Sequence, residues 1–136
     1  MSKESREASI LANELAKLGL PVETEYVFHT IRKWALDIAF PNILLGIEIN
    51  GFGRGGMMGG HQRAQGMEND MDKANAAREA GWRVMSYPAS KITLKKDGSP
   101  GKRHQLIIDQ ISRIVSNVNS EQDSAYVLTT HPADKR

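Results

Sequence analysis

Apolar residues recur along the chain at two different spacings, and each spacing predicts a different kind of element. The first run has a helical period and consists of Ala8, Leu11, Leu15 and Leu18. Gly19 and Pro21 follow it and are typical of a helix end, so we predict a first helix over about residues 4–18. From Glu23 onward the period shortens, and apolar residues alternate with others in RKWALDIAF and again in NILLGIEIN. Alternation of this kind predicts β-strands.

The two alternating runs predict a β-hairpin. Their apolar faces consist of Trp34, Leu36, Ile38 and Phe40 in the first strand and Ile43, Leu45, Ile47 and Ile49 in the second. Pro41-Asn42 separates the strands as a turn, and a two-residue turn would pair Phe40 with Ile43. That register places Asp37 opposite Gly46, so that Glu48 lies on a cross-strand diagonal from Asp37, with about 7–8 Å between backbones.

Asp37 and Glu48 therefore share a face whose nearest other residues are small: Ala35, Ala39 and Gly46. Two carboxylates in one open space repel each other unless a proton or a cation lies between them, and carboxylate oxygens suit Mg²⁺ or Mn²⁺. The alternative is that both acids occupy the solvent side of a half-exposed sheet.

Three further elements are predicted after the hairpin. A helix in QGMENDMDKANAAREAGW has an apolar stripe of Met67, Met71, Ala74 and Ala77 and ends at Gly81, with Asp70 and Lys73 as neighbours at the edge of the stripe. WRVMSYP predicts a strand, and a last helix follows from the spacing of Ile107, Ile111, Ile114 and Val118. Between them, residues 89–103 form a basic loop that contains Lys91, Lys95, Lys96, Lys102 and Arg103. Such a loop either follows a phosphate backbone or is simply solvated.

Composition indicates one globular domain. The chain has 136 residues, of which 40% are hydrophobic, and a formal net charge of +2 that is compatible with a nucleic-acid partner. We predict a domain over residues 1–118 and a polar, poorly ordered tail over residues 119–136. Cysteine is absent, which excludes disulfides and thiolate zinc sites, and the first 20 residues lack the continuous apolar run of a signal peptide or membrane span. We therefore expect a soluble, cytoplasmic protein.

The glycines of INGFGRGG match the G-x-G-x-x-G pattern of dinucleotide-binding loops at Gly51, Gly53 and Gly56. That pattern requires a helix directly after the turn, but Gly59 and Gly60 follow before any helical periodicity begins. The preceding hairpin is also unlike the start of a βαβ unit. We interpret this segment as a flexible loop that carries Arg54, His61 and Arg63.

The order of these elements and residues resembles the PD-(D/E)xK nuclease superfamily. Within it, DIAFP, IEING, His61-x-Arg63, Gly66, Asp70, Lys73, Asn75 and GWRV resemble small phage and bacterial endonucleases related to the very-short-patch-repair enzymes. The likeness covers roughly residues 7–87. It implies an α/β (α+β) fold of the restriction-endonuclease type, with a central mixed sheet of about four strands flanked by helices.

The resemblance also implies metal-dependent hydrolysis of DNA, with Asp37, Glu48 and the backbone carbonyl of Ile49 as ligands of Mg²⁺ or Mn²⁺. Asn50 departs from the family pattern, which has lysine at this position. An amide can orient a water molecule but supplies no positive charge. His61 and Lys73, and after them Lys33, are the candidates to replace the missing lysine, and some relatives carry an extra acid at the position of Glu7.

Two functions remain open at this point. The first is a Mg²⁺-dependent endonuclease for duplex or branched DNA, monomeric or dimeric, in a bacterial or phage-infected cell. Arg54, Arg63, Lys91, Lys95 and Lys96 are its predicted DNA contacts. The second is a DNA-binding module on the same fold that has lost catalysis together with the motif lysine. An enzyme that binds nucleotide through the glycine loop is a more distant third.

Overall fold

The computed structural model describes the backbone over residues 5–29, 31–51 and 60–130, and side chains over residues 5–29, 31–51 and 65–117. The helices are α1 (Arg6–Lys17), α2 (Gly60–Glu79) and α3 (Lys102–Thr130). The strands are β1 (Glu23–Val27), β2 (Ala35–Phe40), β3 (Leu45–Asn50) and β4 (Arg83–Pro88). Short 3₁₀ turns cover Pro41–Ile43 and Ala89–Lys91.

The four strands form one mixed sheet in the order β1-β2-β3-β4. β2 is antiparallel to both β1 and β3, whereas β3 and β4 are parallel and are connected through α2. The predicted α+β class, with about four strands and flanking helices, is confirmed. Because of these directions, the end of β3, the end of β4 and the start of β2 meet at one end of the sheet.

Helix α1 has the boundaries that its sequence predicts. The Ser5 side chain accepts a hydrogen bond from the backbone N–H of Ala8 at 3.0 Å and caps the first turn. At the other end Gly19 has a φ of 83°, and the N–H of Leu20 donates to the carbonyl of Leu15. A left-handed residue followed by this bond is a Schellman ending, which glycine adopts without strain.

The core lies on both faces of the sheet. On one face α1 and α3 pack against β2 and β3, and the fully buried side chains there include Leu11, Leu15, Ile38, Ile47 and Ile111. The other face is covered by α2 through a smaller cluster, which consists of Leu36, Ala39, Ala77, Trp82 and Val84. Three layers result, and the sheet is the middle one.

The predicted register of the hairpin is wrong by two residues. Phe40 pairs with Leu45 instead of Ile43, because the 3₁₀ turn and a left-handed Leu44 lengthen the connection. A shift of two residues preserves the face of every side chain, since strand side chains alternate with period two. Asp37 and Glu48 therefore keep their common face, and the observed register, continued by one residue, brings them directly opposite each other.

Leu36 lies on the opposite face from the one predicted. It packs with Ala39 and Trp82 in the smaller cluster, whereas Ile38 and Phe40 belong to the main core. The alternation of side chains between the two faces of β2 breaks at Asp37, between Leu36 and Ile38. There Asp37 lies in register with Glu25 of β1, and Glu25 has a left-handed φ of 49°. A local break of this kind is not visible in a hydrophobic pattern.

The predicted apolar stripe of α2 is also wrong in part. Met67 and Met71 are 39% and 57% exposed, while Lys73 and Ala74 are half-buried and Ala77 is buried. Ala77 belongs to the smaller cluster against the sheet. The predicted end at Gly81 is confirmed by its φ of 98°. The helix begins at Gly60, so His61 and Arg63 lie in its first turns and not in a loop.

Helix α3 is buried through Ile107, Ile108, Ile111 and Val115, with Ile114 partly buried. Val118 lies outside the described side chains. The helical backbone extends to Thr130, past the start of the predicted polar tail. The basic loop before α3 is folded back on itself by a turn in which the N–H of Lys95 donates to the carbonyl of Ser99.

Candidate active site

A cleft of about 420 Å³ opens at the end of the sheet where β2 begins and β3 and β4 end. Its lining comes from β2, β3, β4 and the middle of α2, and consists of Asp37, Glu48, Ile49, Asn50, Gly51, Gly66, Asp70, Lys73, Ala74 and Ser86. Five side chains that the sequence singled out therefore line one space. The two acids that the hairpin brings opposite each other lie at its floor.

Asp37 and Glu48 are held by reciprocal bonds to each other's strand. The backbone N–H of Asp37 donates to Glu48 Oε2 at 2.8 Å, and the backbone N–H of Ile49 donates to Asp37 Oδ2 at 2.8 Å. The carboxylates thus accept from backbone N–H groups beyond the last paired residues of the β2–β3 ladder. Charge-assisted bonds of this kind fix both side chains in the cleft.

Lys73 reaches the same two strands from α2. Its Nζ lies 2.6 Å from Glu48 Oε1 and donates to the carbonyl of Ala35 at 2.7 Å. The side chains of Lys73 and Glu48 are only 18% and 19% exposed, so water screens this ion pair less than a surface pair. Of the three candidates to replace the motif lysine, Lys73 is placed in the cleft, whereas Lys33 is exposed in the loop before β2.

Burial raises the pKa of Glu48 above its ordinary value of 4.5, and the nearby charge of Asp37 raises this pKa further. The ammonium of Lys73 acts in the opposite direction but does not cancel these effects. Burial and the Asp37 charge thus disfavour the ionised form of Glu48, and a second cation beside it would stabilise that form.

The donor set fits a hard divalent cation. Asp37 and Glu48 contribute carboxylate oxygens on one face, and Ile49 lines the same cleft. Among the described residues, no group of three or more His, Cys, Asp or Glu side chains is placed to hold a metal ion. Of the described residues, Asp37 and Glu48 are the carboxylates that the hairpin brings together for a metal.

Ser86 was missed by the sequence reasoning. It pairs with Glu48 across the parallel β3–β4 ladder and lines the cleft. The signal was its place at the end of the alternating face that begins with Trp82 and Val84, where a polar residue replaces an apolar one. Asp70 also lines the cleft, as an exposed residue of α2.

The other predicted site residues are not brought to the cleft or fall outside the description. Glu7 is buried on α1 and lines a separate pocket together with Ser90 and Thr93. Lys95 and Lys96 are exposed and Lys91 is half-buried, and none of the three lines the cleft. Arg54 and the side chains of His61 and Arg63 lie outside the described residues, as does most of the glycine fingerprint.

Comparisons of the chain with protein-family models, curated proteins and solved structures find no significant match. The resemblance to PD-(D/E)xK nucleases therefore stays a prediction from the sequence. No helix within the described part of the chain is both long and apolar enough to cross a membrane.

Proposed function

We propose that the protein is a Mg²⁺- or Mn²⁺-dependent endonuclease that hydrolyses phosphodiester bonds of duplex or branched DNA. The observation that carries the proposal is the convergence of Asp37, Glu48 and Lys73 in one cleft at the end of a mixed sheet. Partial burial of two carboxylates and one ammonium costs free energy. Charged groups that three separate elements bring together in a cleft are typical of functional sites.

Asp37, Glu48 and the carbonyl of Ile49 would hold the ion, whose chemistry is to lower the pKa of a water molecule and to neutralise charge on the phosphate. The reciprocal backbone bonds keep the two carboxylates in place before any ligand enters. Preorganisation of this kind lowers the reorganisation that the reaction would otherwise require.

Lys73 supplies the positive charge that Asn50 lacks. Its ammonium is positioned by Glu48 and by the Ala35 carbonyl, and a phosphate in the cleft would lie within its reach. Hydrolysis forms a bond from the water oxygen to phosphorus and breaks the bond from phosphorus to one deoxyribose oxygen. A base accepts a proton from the attacking water, and the leaving oxygen takes up a proton from solvent to become a hydroxyl. His61 in α2 is our proposed base.

A DNA-binding module without catalysis is the second candidate function. It is favoured by the closed ion pair, because the Lys73 ammonium is already bound to Glu48 at 2.6 Å. If that contact persists when DNA binds, the lysine contributes to folding and not to phosphate chemistry. Cleavage assays separate the two functions.

The test is incubation of the purified protein with supercoiled plasmid in Mg²⁺, Mn²⁺, Ca²⁺ or EDTA. We expect nicking or linearisation in Mg²⁺ or Mn²⁺ that is lost in Asp37→Asn and in Glu48→Gln, by a factor of about 10² or more in rate. Branched DNA substrates are included, because a nuclease specific for such structures leaves plasmid intact.

Asp109→Asn is the matched control, since Asp109 is an exposed carboxylate on α3 that does not line the cleft. It should cleave like the wild type. Gel shifts without cleavage of any substrate, in every metal, would reject the nuclease and leave the binding module.

A further inference from the structure

The connection between β1 and β2 presents an apolar and cationic surface beside the cleft. We define the hairpin tip as Phe28, His29, Ile31, Arg32, Lys33 and Trp34. β1 ends and β2 begins at the end of the sheet that carries Asp37 and Glu48. Trp34 directly precedes Ala35 of β2, whose backbone carbonyl accepts a hydrogen bond from Lys73.

 Ala35 therefore connects the tip to the site along the chain. With a strand rise of about 3.3 Å per residue, Trp34 lies roughly 10 Å along the backbone from Asp37.

The tip is held in a defined shape by its own hydrogen bonds. The N–H of Lys33 donates to the carbonyl of His29 at 2.8 Å, and the N–H of Phe28 donates to the carbonyl of Trp34 at 3.1 Å. His29 Nδ1 accepts from the N–H of Arg32 at 3.0 Å. The backbone of Lys33 adopts a left-handed φ of 60°, which is unusual for a residue other than glycine. The surface is therefore preorganised before a partner binds.

The tip combines an aromatic and cationic cluster with an exposed apolar side chain. The Arg32 guanidinium lies 4.4 Å from the centre of the Trp34 ring, and the His29 ring packs on the edge of the same indole at 5.2 Å. Ile31 is 84% exposed, the largest exposure among the large hydrophobic residues that the structure describes. Exposure of an apolar side chain to water is unfavourable, and its burial against a partner is favourable. Because cations flank Ile31, the matching partner has both anionic and apolar surface.

Charge and shape together identify the partner. The segment FHTIRKW contains two cationic residues and a histidine but no acid. Duplex DNA offers phosphates for Arg32 and Lys33, and its minor groove is walled by sugar rings that an inserted apolar side chain can contact. Phosphate contacts weaken as the salt concentration rises, whereas a contact of Ile31 with the sugars would not depend on salt.

We propose that the hairpin tip is a second DNA-binding surface, which holds the duplex that flanks the cleft. Arg32 and Lys33 contact phosphates there, and Ile31 inserts into the minor groove. The inference rests on the proposed function, because it assumes that the cleft receives DNA. The tip then extends the contacted DNA beyond the cleaved phosphate on the side of β1.

The test is fluorescence anisotropy of labelled duplex DNA at several salt concentrations, with Ca²⁺ in place of Mg²⁺. We expect Ile31→Ala to weaken binding about fivefold with an unchanged salt slope, and Arg32→Gln to lower that slope by about one. A duplex of about 30 base pairs should bind more tightly than one of about 10, and the tip variants should reduce this gain.

The matched controls are Leu18→Ala and Lys17→Gln. Leu18 is 56% exposed and, like Lys17, lies at the end of α1, before β1 and away from the tip. Both controls should bind like the wild type. Circular dichroism checks that the tip variants fold, which their exposure favours.

The outcomes also separate this proposal from the nuclease. Tip-dependent binding by a protein that cleaves nothing would retain the tip and reject the nuclease. Metal-dependent cleavage, together with unchanged DNA binding by Ile31→Ala and Arg32→Gln, would support the nuclease and reject the DNA-binding role of the hairpin tip. A wild-type protein that binds no DNA would reject that role as well.

Discussion

The charges of the cleft depend on each other at the level of single residues. Glu48 is partly removed from water and is repelled by Asp37, and these two effects raise its pKa against the attraction of Lys73. A carboxyl whose pKa is higher in the folded than in the unfolded protein holds its proton to higher pH when folded. The free energy of unfolding therefore falls as the pH rises from 4.5 to the pKa of folded Glu48.

Our first prediction concerns substitutions of the two neighbours of Glu48. Asp37→Asn removes the repulsion and should lower the pKa of Glu48, while Lys73→Met removes the attraction and should raise this pKa. The pH range over which stability falls then narrows in Asp37→Asn and widens in Lys73→Met. NMR titration of the side-chain carboxyl carbons measures both shifts. An unchanged pKa in Lys73→Met would mean that the 2.6 Å ion pair does not form in solution.

The shared face of Asp37 and Glu48 could be predicted from the sequence because it depends only on parity. The predicted turn was too short by two residues, and an error of two leaves the face unchanged. Their hydrogen bonds to backbone N–H groups could not be predicted, since they arise where the ladder of β2 and β3 stops. The contact of Lys73 with Glu48 needed the packing of α2 on the sheet, and Met67 and Met71 pointed to a different face of that helix.

At the scale of elements, the close contact of β2 with β3 depends on Gly46. A Cβ atom at this position would lie 2.7 Å from Leu36 Cδ1, and Leu36 is completely buried. The neighbour therefore has little room to move. Glycine here allows Leu36 to pack against Ala39 and Trp82 over the second face of the sheet.

We predict that Gly46→Ala lowers the free energy of unfolding by about 1–3 kcal/mol, the usual cost of an overpacked core. Gly66→Ala is the matched control, because Gly66 lies in α2 with no atom within 4 Å of the added Cβ. The control should gain up to about 1 kcal/mol, as alanine favours a helix over glycine. Urea denaturation measures both values, and equal stability of the two variants would contradict the predicted contact.

The long, periodic elements were the predictable ones. α1, β3 and β4 follow their apolar patterns, and Gly19 and Gly81 end their helices as predicted. β1 was not predicted as a strand of its own, because it is an edge strand whose alternation is broken at Glu25. The start of α2 at Gly60 was not predicted, because glycine has a low helix propensity and no apolar periodicity marks this turn.

At the scale of the whole molecule, the fold gathers its chemistry at one end of the sheet. The antiparallel hairpin brings the start of β2 there, and the parallel crossover through α2 returns β4 with its end beside that of β3. The Lys73 ammonium lies within ion-pair distance of Glu48, 2.6 Å from its Oε1. A divalent ion that takes the same Glu48 oxygen must compete with the lysine.

Our last prediction follows from this competition. Lys73→Met should bind Mn²⁺ more tightly than the wild type at pH 8, by about three- to tenfold, because the cation that competes for the Glu48 oxygen is lost. The same variant should lose DNA cleavage, since the charge that acts on the phosphate is removed. Isothermal titration calorimetry measures the affinity without any DNA, and Glu48→Gln is the control that should lose binding. Weaker Mn²⁺ binding by Lys73→Met would show instead that Lys73 supports the metal site. The ion pair would then position Glu48 for the metal and would not compete with it.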